Sequence, residues 1–424
     1  MLPKPQGCQS CPLYGDGLGF VPDKLNDQAE VFIYGQNPGK DEEEGRMWDG
    51  QSYEACDPQP FTGKTGYELN RLLPVGGLDR PMLSVGNALR CRLNHTNTLP
   101  PLKHKIIREA LAHCTRVHLK IPPKTRLLVA QGEYALYALT GEGLEKDRKL
   151  NDWRGYLLPY GIPTPTSIYQ PVNLSVFVTN HVAFTFRDPV ARRVILMDVA
   201  KIPKILDGSW PKPLPPINIG PPTVWPAYSA FDTEFNPKDK YLICYSLYDG
   251  TKLRVCEQRE YGHIINKPTV IMHNALADMP YLPFHYDFED TMHAHGVLWP
   301  DFLHNLDFLG SLYAPINRWK HLVKTNFHMY SAGDAYATWH LWHRLKDRLV
   351  GSNGEVYERQ KKLVPIIARS EQRGVAIDPG RVRAHFERYE NRRLELYYQA
   401  QAIAGWPINV RSNLQAAHQI YEVE

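Results

Sequence analysis

The sequence predicts an α/β protein of two domains followed by a helical region, and three observations lead to that prediction. In the first half of the chain, short apolar runs alternate with helical stretches, which is typical of a parallel sheet covered by helices. A proline-rich stretch separates this region from a second set of strands. From about Gly351 onward, only helical periodicity remains. At 424 residues and 43% hydrophobic content, the chain can form two or three ordinary domains.

The first domain is predicted over residues 1–208. Its strands are expected in the buried runs AEVFIYG, MLSVGNAL, RLLVAQG and SVFVTNH, and two of its helices in TGYELNRLL and KIIREALAHC. Residues 209–226, SWPKPLPPINIGPPTVWP, are predicted to be a stiff linker, because proline removes backbone donors and favours extended geometry.

The second domain is predicted over residues 227–350. The runs YSAFDTEF, LICYSLYDGTKLRVCE and PTVIMHN form a short meander, with a turn at Asp249-Gly250, and helices follow it. This order favours a ribonuclease-H-like α/β domain. Residues 351–424 are predicted to be helices with long charged faces.

Four acidic residues stand in three motifs of the second domain. They are Asp232 and Glu234 in AFDTEF, Asp278 in HNALADMPYL and Asp334 in YSAGDAYATW. D-x-E on a strand points both carboxylates to one face, and helical spacing places Asn274 beside Asp278 and Tyr330 beside Asp334. Carboxylates that meet in an interior pocket repel unless cations neutralise them, so the set predicts two Mg²⁺ or Mn²⁺ ions roughly 3.5–4 Å apart. Such a site cleaves phosphodiesters, and Tyr330 would orient the attacking water.

Residues 227–347 resemble the 3′-to-5′ proofreading exonuclease domain of family A DNA polymerases. The three motifs of that family match at Asp232/Glu234, Asn274/Asp278 and Tyr330/Asp334, and EDTMHAHGVL with HNLDFLGSLY resembles the intervening segment. The resemblance implies a DEDY-type exonuclease that acts on single-stranded or frayed 3′ ends of DNA, with Asn274 contacting the substrate.

Residues 356–424 resemble the start of the polymerase thumb in the same family. Palm carboxylates and a fingers helix cannot be located, so we expect this chain not to synthesise DNA. It would then be part of a longer protein, or the polymerase half would be a separate polypeptide. A phage-like or similarly compact replication system would suit such a fusion.

Four of the seven cysteines are candidate metal ligands. Cys8 and Cys11 form a C-x-x-C motif, and Cys91 and Cys114 lie far downstream. An odd number of cysteines without an export signal argues against a disulfide framework. Four thiolates can bind zinc or a four-iron cluster, and the spacing leaves both open, as it does the alternative that Cys91 and Cys114 are small core residues.

Residues 1 to about 205 resemble family 4 uracil-DNA glycosylases, which carry an iron–sulfur cluster. The resemblance lies in VFIYGQNPGKDEEEG, PFTGKTGYELNRLL, GNALRCR and TNHVAFTFRDP, and the cysteines come in the order of that family's ligands. It implies a 4Fe-4S cluster on Cys8, Cys11, Cys91 and Cys114, with zinc as the alternative.

The resemblance also implies a uracil-excision site. Gly35 to Gly39 would form the tight loop, in which Gln36 contacts the substrate and Asn37 positions water. Phe61 would stack on a flipped uracil, Asn87 would hydrogen-bond its polar edge, and His181 would stabilise the departing base at O2.

This sequence departs from the family pattern at several places. The loop reads GQNPG where family 4 has GEAPG, so Gln36 replaces an acidic residue, and Val182 stands where proline is expected. An insertion, RMWDGQSYEACDPQ, contains Cys56 and could cover the pocket or contact DNA. Two readings therefore remain open: an active glycosylase, or a non-catalytic module that binds DNA, senses uracil or docks a partner.

Charge and hydropathy limit the other possibilities. The formal net charge of +4 does not establish a nucleic-acid partner, although RDPVARR and RVRAHFERYENRR could follow a phosphate backbone. No signal peptide or membrane span is evident, so we expect a cytoplasmic protein without a membrane partner.

Overall fold

The computed structural model describes residues 2–93, 99–146, 148–163, 168–169, 174–257 and 259–421. The strands are β1 (Val31–Gly35), β2 (Arg46–Trp48), β3 (Tyr53–Ala55), β4 (Ser84–Asn87), β5 (Leu127–Gln131), β6 (Leu157–Pro159), β7 (Ile162–Pro163), β8 (Ile168–Tyr169), β9 (Ser175–Thr179), β10 (Ile217–Ile219), β11 (Tyr228–Phe235), β12 (Leu242–Tyr248), β13 (Leu253–Cys256), β14 (Thr269–Met272) and β15 (Asp287–Asp290). The α-helices are α1 (Lys40–Glu44), α2 (Lys64–Leu72), α3 (Lys105–His118), α4 (Glu133–Thr140), α5 (Leu150–Trp153), α6 (Pro189–Val199), α7 (Ile202–Leu206), α8 (Ala275–Asp278), α9 (Thr291–Leu298), α10 (Leu306–Tyr313), α11 (Phe327–Leu345), α12 (Gly351–Arg373), α13 (Pro379–Ala404) and α14 (Asn413–Tyr421). The chain divides into two compact units, residues 1–365 and 366–424.

The first sheet has the strand order β4-β1-β5-β9-β6. The strands β4, β1, β5 and β9 are parallel, and β6 joins the edge in antiparallel orientation. Alternate residues of β1 enter opposite cores: Phe32 and Tyr34 pack on one side, Val31 and Ile33 on the other. The predicted mixed α/β fold with a parallel sheet is confirmed for this domain, and each predicted strand contains an observed one. The edge strand β6 was not predicted.

The second sheet has the strand order β10-β13-β12-β11-β14-β15. The meander β11-β12-β13 is antiparallel, with its turn at Asp249-Gly250, and β14 pairs in parallel with β11 on the other side. The central strand β11 also buries side chains on both faces, since Ala230 and Phe231 belong to different cores. Asp232 and Glu234 on the same strand are half-buried.

Part of the predicted linker belongs to the second sheet. Ile217–Ile219 forms the edge strand β10, which pairs in parallel with β13, and Trp225 is buried in the core of that domain. Prolines cannot donate to a sheet ladder, yet an edge strand between them has one free side and is tolerated. The first part of the segment is tied down as well, because the amide of Lys212 donates to the carbonyl of Pro315 over 2.8 Å.

Only helices follow residue 350 among the residues described, and two of them are long, α12 (Gly351–Arg373) and α13 (Pro379–Ala404). The boundary between the compact units falls at Pro365, inside α12, rather than at residue 350. The second unit contains α13 and α14. Throughout the described part of the chain, every helix is too short or too polar to cross a membrane.

Candidate functional sites

The central strand of the second sheet and the long helix α11 bring three acidic side chains together. Asp232 and Glu234 lie two residues apart on β11, and Asp334 lies on α11. One carboxylate oxygen from each lies within 4.8 Å of the other two. Such a spacing suits oxygen ligands around shared divalent cations.

Two donors hold the Asp334 carboxylate in place. The indole Nε1 of Trp319 donates to Oδ1 over 2.6 Å, and Lys320 Nζ donates to Oδ2 over 2.7 Å. Trp319 itself is 1% exposed, and it passes so close to Gly310 and Gly333 that a Cβ on either would approach its ring to 2.4 Å. The tryptophan therefore has little freedom to move away from Asp334.

The acidic cluster carries strong mutual repulsion. Burial, followed by the charges of Asp334, Asp278 and Glu234, raises the pKa of Asp232 well above its usual range. Burial and the nearby Asp334 raise the pKa of Glu234 to about 8. Within the described residues, Asp232 Oδ2 is buried and has no hydrogen-bond partner. A buried acceptor without a donor, beside other carboxylates, fits a position for a cation.

Asp278 lies beside this group but is held by β11. Its Oδ1 accepts hydrogen bonds from the backbone N and the Oγ1 of Thr233, over 3.0 and 2.5 Å, and burial raises its pKa to about 7. The group within 4.8 Å consists of the other three acids, as far as the described residues extend. Asp278 therefore lies close enough to add to the charge around Asp232 but outside the closest group of carboxylates.

The predicted helical pairing of Asn274 with Asp278 is wrong. The helix α8 begins only at Ala275, and Asn274 precedes it with φ +65°. Asparagine tolerates this left-handed conformation, which turns the chain from β14 into α8. The backbone N–H of Asn274 donates to Asp290 Oδ1. Tyr330 and Asp334, by contrast, both lie on α11 as predicted.

Tyr330 faces the cluster from one turn before Asp334. The Lys320 ammonium lies 4.9 Å from the centre of its ring, and burial raises the pKa of its phenol. Lys320 was not identified from the sequence, because it precedes Asp334 by 14 residues in a segment without strand or α-helix periodicity. Only its contacts reveal it.

A cavity of about 630 Å³ opens at the carboxyl ends of the parallel strands in the first sheet. The predicted site residues that line it are Gln36, Asn37, Phe61, Asn87 and His181. Gly35 lies behind them, where a Cβ would come within 2.5 Å of Asn87 Oδ1 and 2.7 Å of Phe61 Cζ. The cavity is within the size range of small-molecule sites, and a side chain at residue 35 would displace two of its walls.

The polar wall of this cavity has an open donor. Asn87 is 2% exposed, and its Nδ2 completes no hydrogen bond to any described residue, although the Glu42 carboxyl lies near it. Glu42 accepts from the amides of Phe61 and Gly39 over 2.7 and 3.2 Å, and burial raises its pKa to about 7. Glu42 thus connects the loop at Gly39 to Phe61. This role was not predicted from the sequence, in which Glu42 is one of four consecutive acidic residues.

Phe61 and His181 form the aromatic walls. Their ring centroids lie 6.2 Å apart with 25° between the planes. His181 Nδ1 accepts from the amide of Ala183 over 3.3 Å, so the neutral ring carries its proton on Nε2. Burial lowers the pKa of His181 to about 4, which keeps it neutral at pH 7.

The predicted cysteine ligands line one small cavity of about 20 Å³. They are Cys8, Cys11, Cys91 and Cys114. Cys91 is held from both sides, because Arg90 and Arg92 form buried ion pairs with Asp23 at 2.6 Å and Glu43 at 2.9 Å. Burial, followed by the charges of Cys114 and Cys11, raises the pKa of Cys91 to about 12. The raised pKa disfavours free thiolates at this site, and a bound metal would offset that cost.

Comparison with known proteins identifies the first domain. Residues 22–198 match the family model of the Uracil DNA glycosylase superfamily. The N-terminal domain belongs to that superfamily. A curated relative, the Type-4 uracil-DNA glycosylase of Archaeoglobus fulgidus, is 31% identical over 85 residues, which are 20% of this chain. The chain spans 37% of the length of that relative.

A solved structure resembles part of the chain only slightly. It is the crystal structure of Escherichia coli RNase D, an exoribonuclease involved in structured RNA processing, with a TM-score of 0.29 and 14% identity. The match covers 34% of this chain and 45% of RNase D.

In the glycosylase-superfamily domain, the inserted segment forms the two-stranded hairpin β2-β3. Its Tyr53 lines the cavity and donates from its hydroxyl to Asp41 Oδ2 over 3.0 Å. Trp48 packs against Tyr53, with 4.9 Å between ring centroids. The insertion therefore reaches the rim of the cavity.

Proposed function

We propose that this protein acts on DNA in repair and replication, with a uracil-excision site in the N-terminal domain and a metal-dependent 3′-to-5′ exonuclease site in the second domain. The observation that supports the first part is the buried Asn87 side chain, whose Nδ2 completes no hydrogen bond to a described residue, in the cavity that Phe61 and His181 also line, within a domain of the glycosylase superfamily.

In the first site, a flipped uracil would stack on Phe61 with its polar edge toward Asn87. An amide matches the acceptor and donor of uracil, whereas the reversed pattern of cytosine would leave both groups unpaired. The neutral His181 would donate from Nε2 to O2 of the departing base, and Asn37 would position water at the sugar.

Formation of abasic sites in a uracil-containing oligonucleotide tests this assignment. We expect wild-type activity to be lost in His181→Ala and kept in His328→Ala, an equal truncation of a histidine whose ring pairs with Glu257 in the second domain. If wild-type protein binds the uracil oligonucleotide without cutting the glycosidic bond, the sensor function is correct. Gln36, in place of an acidic residue, is the observation that favours that alternative.

We infer that the four cysteines of the first domain hold a 4Fe-4S cluster rather than zinc. The four side chains line one small cavity, and a Type-4 uracil-DNA glycosylase is among the relatives of this domain. Four cysteine thiolates are a ligand set typical of a 4Fe-4S cluster. Such a cluster would cross-link the N-terminal segment to α3 and the Cys91 loop. Iron analysis with visible absorption tests this, since zinc thiolate sites are colourless.

In the second domain, Asp232, Glu234 and Asp334 would hold divalent cations, with Asp278 acting close by. Bound Mg²⁺ or Mn²⁺ would supply a hydroxide nucleophile and stabilise the leaving oxygen. Tyr330 would orient the water, while Trp319 and Lys320 keep the Asp334 carboxylate in one orientation. The convergence of the three carboxylates supports this proposal.

Shortening of an end-labelled single strand tests the nuclease. We expect it to require Mg²⁺ or Mn²⁺, to stop on chelation, and to be abolished in Asp232→Ala. Asp207→Ala, which truncates an exposed aspartate outside the cluster, should digest like wild type. Unchanged digestion in Asp232→Ala would refute the assignment.

We also infer a relation between residues 227–424 and family A DNA polymerases. It rests on the three motifs at Asp232/Glu234, Asn274/Asp278 and Tyr330/Asp334. Preference for mispaired over paired 3′ ends in the nuclease assay would support a proofreading role.

A further inference from the structure

One short segment of the second domain contacts both the glycosylase-superfamily domain and the acidic cluster. We name residues 316–321 the bridging segment. On one side, Asn317 makes two hydrogen bonds to the backbone of Leu157 in β6, each of 3.0 Å: its Oδ1 accepts from the amide and its Nδ2 donates to the carbonyl. The Arg318 guanidinium lies 4.8 Å from the centre of the Trp153 ring, and His321 packs on the same ring.

On the other side, the same segment reaches Asp334. Trp319 and Lys320, the residues between those that contact the first domain, donate to the two oxygens of that carboxylate. The Trp319 ring also meets the ring of Tyr156 from the first domain edge to face, with 6.3 Å between centroids. Arg318, which contacts the first domain, and Trp319, which contacts Asp334, are therefore adjacent in the sequence.

The surroundings keep this segment from moving independently. Beside it, the Tyr156 hydroxyl donates to the carbonyl of Asp307 over 3.0 Å, and Arg154 and Lys201 of the first domain both donate to Ser311. Arg154 and Lys201 are 3% and 4% exposed, so water does not compete for these contacts. The backbone of 317–319 lies outside any strand or helix and depends on such contacts for its position.

We propose that the N-terminal domain is a positioning partner of the nuclease centre: by holding the bridging segment, it places Trp319 and Lys320 against Asp334. This inference rests on the proposed nuclease function. A ligand carboxylate must be kept within about 0.5 Å of its productive position, and neighbouring groups supply that restraint. The glycosylase-superfamily domain would therefore contribute to DNA hydrolysis even on substrates that contain no uracil.

The test uses the full chain with the double substitution Asn317→Ala/Arg318→Met. This variant removes the polar contacts to Leu157 and Trp153 but leaves Trp319 and Lys320 in the sequence. Asn218→Ala is the matched control, because Asn218 also donates to backbone carbonyls, of Pro216 and Leu253, away from the first domain. Should the double variant fail to fold, as judged by thermal unfolding, Asn317→Ala alone takes its place.

Two measurements are made on each protein. The first is the indole N–H resonance of Trp319 in a ¹H–¹⁵N spectrum, assigned with Trp319→Phe and recorded without metal. The second is kcat and KM for uracil-free single-stranded DNA with Mg²⁺. We expect the resonance to shift or broaden, and kcat to fall about two- to tenfold, the range of one or two net hydrogen bonds, with KM unchanged. In Asn218→Ala both should match wild type.

An unmoved Trp319 resonance, or an unchanged kcat in spite of a moved resonance, would overturn the inference. If wild-type protein itself does not cut DNA with Mg²⁺, the proposed nuclease function fails, and the resonance still shows whether the first domain holds the segment. Lys320→Arg provides a further check: it should retain more activity than Lys320→Ala, because a cation still reaches Asp334.

Discussion

At the scale of residues, the acidic cluster is the feature with the clearest physical consequence. Asp232, Glu234 and Asp278 have raised pKa values because burial and mutual repulsion disfavour their charged forms. Each of them binds a proton more tightly in the folded protein than in the unfolded chain. The repulsion within the cluster can therefore be relieved either by protons or by bound cations. Binding of either one stabilises the folded state.

The first prediction concerns stability and pH. Glu234 and Asp278 change from ordinary values of 4.5 and 3.8 to about 8 and about 7, so their contribution to folding is fully present below pH 4 and is lost as the pH rises toward 8. In chelator, we expect the melting temperature of wild-type protein to fall more steeply between pH 5 and pH 8 than that of Asp232→Asn. Asp207→Asn is the exposed control.

Magnesium gives the complementary result in the same experiment. It should raise the melting temperature of wild-type protein at pH 8, where the carboxylates are charged, and much less at pH 5. Equal slopes for wild type and Asp232→Asn, together with no magnesium effect at pH 8, would contradict the prediction.

At the scale of elements, the loop after β1 determines the first site. Gly35 ends the strand, and the loop that follows leads into α1 through Gly39. The two glycines differ: a Cβ at Gly35 would collide with Asn87 and Phe61, whereas a Cβ at Gly39 would meet nothing within 4 Å. Gly39 also has φ −81°, which any residue can adopt. The first glycine is thus required by the cavity and the second is not.

The second prediction compares these two positions. Gly35→Ala should lower uracil binding or excision about tenfold or more, because forcing a methyl group into packed surroundings costs about 1–3 kcal/mol. Gly39→Ala should remain within about twofold of wild type. The measurement is uracil-oligonucleotide affinity and abasic-site formation at equal folded fraction. Equal behaviour of the two variants would show that the cavity wall is not part of the site.

At the scale of the whole molecule, a buried polar network joins the first domain to helix α10 of the second domain, within residues 1–365. Asp198 is fully buried and accepts from Arg154 and Lys201, each over 3.1 Å, and from the Thr179 hydroxyl over 2.9 Å. Arg154 and Lys201 also donate to Ser311 on α10 of the second domain. The contact between the domains is consequently part of the interior and not a loose surface.

The third prediction is that this network contributes to stability. Arg154→Met should lower the free energy of unfolding by about 3 kcal/mol, because it leaves Asp198 buried with less compensation. Arg126→Met, which breaks an exposed ion pair with Glu30, should cost about 1 kcal/mol or less. Chemical denaturation of both variants measures the difference. Similar losses in the two would show that the network does not hold the domains together.

The sequence by itself determined the local structure and the identity of most candidate site residues. Buried β runs in the first domain, the D-x-E motif on a strand and the Y-x-x-x-D motif on a helix depend on alternation and burial over a few residues, which the sequence displays directly. The four cysteines were candidate metal ligands from the sequence, whereas the choice of an iron–sulfur cluster and the residues of the candidate uracil site came from a family resemblance. Their grouping around two cavities agrees with it, while their chemical roles stay predictions.

The tertiary structure decided what depends on contacts between distant segments. It placed Lys320 and Trp319 on Asp334, turned Asn274 out of the helix, paired β10 with the second sheet and joined the first domain to the bridging segment. None of these has a periodic signature, because each results from side chains that meet only when two separately formed layers pack together. Steric preferences and hydrophobicity belong to each residue and can be predicted from the sequence. Contacts between distant segments form only when the whole chain packs, so they cannot be predicted in the same way.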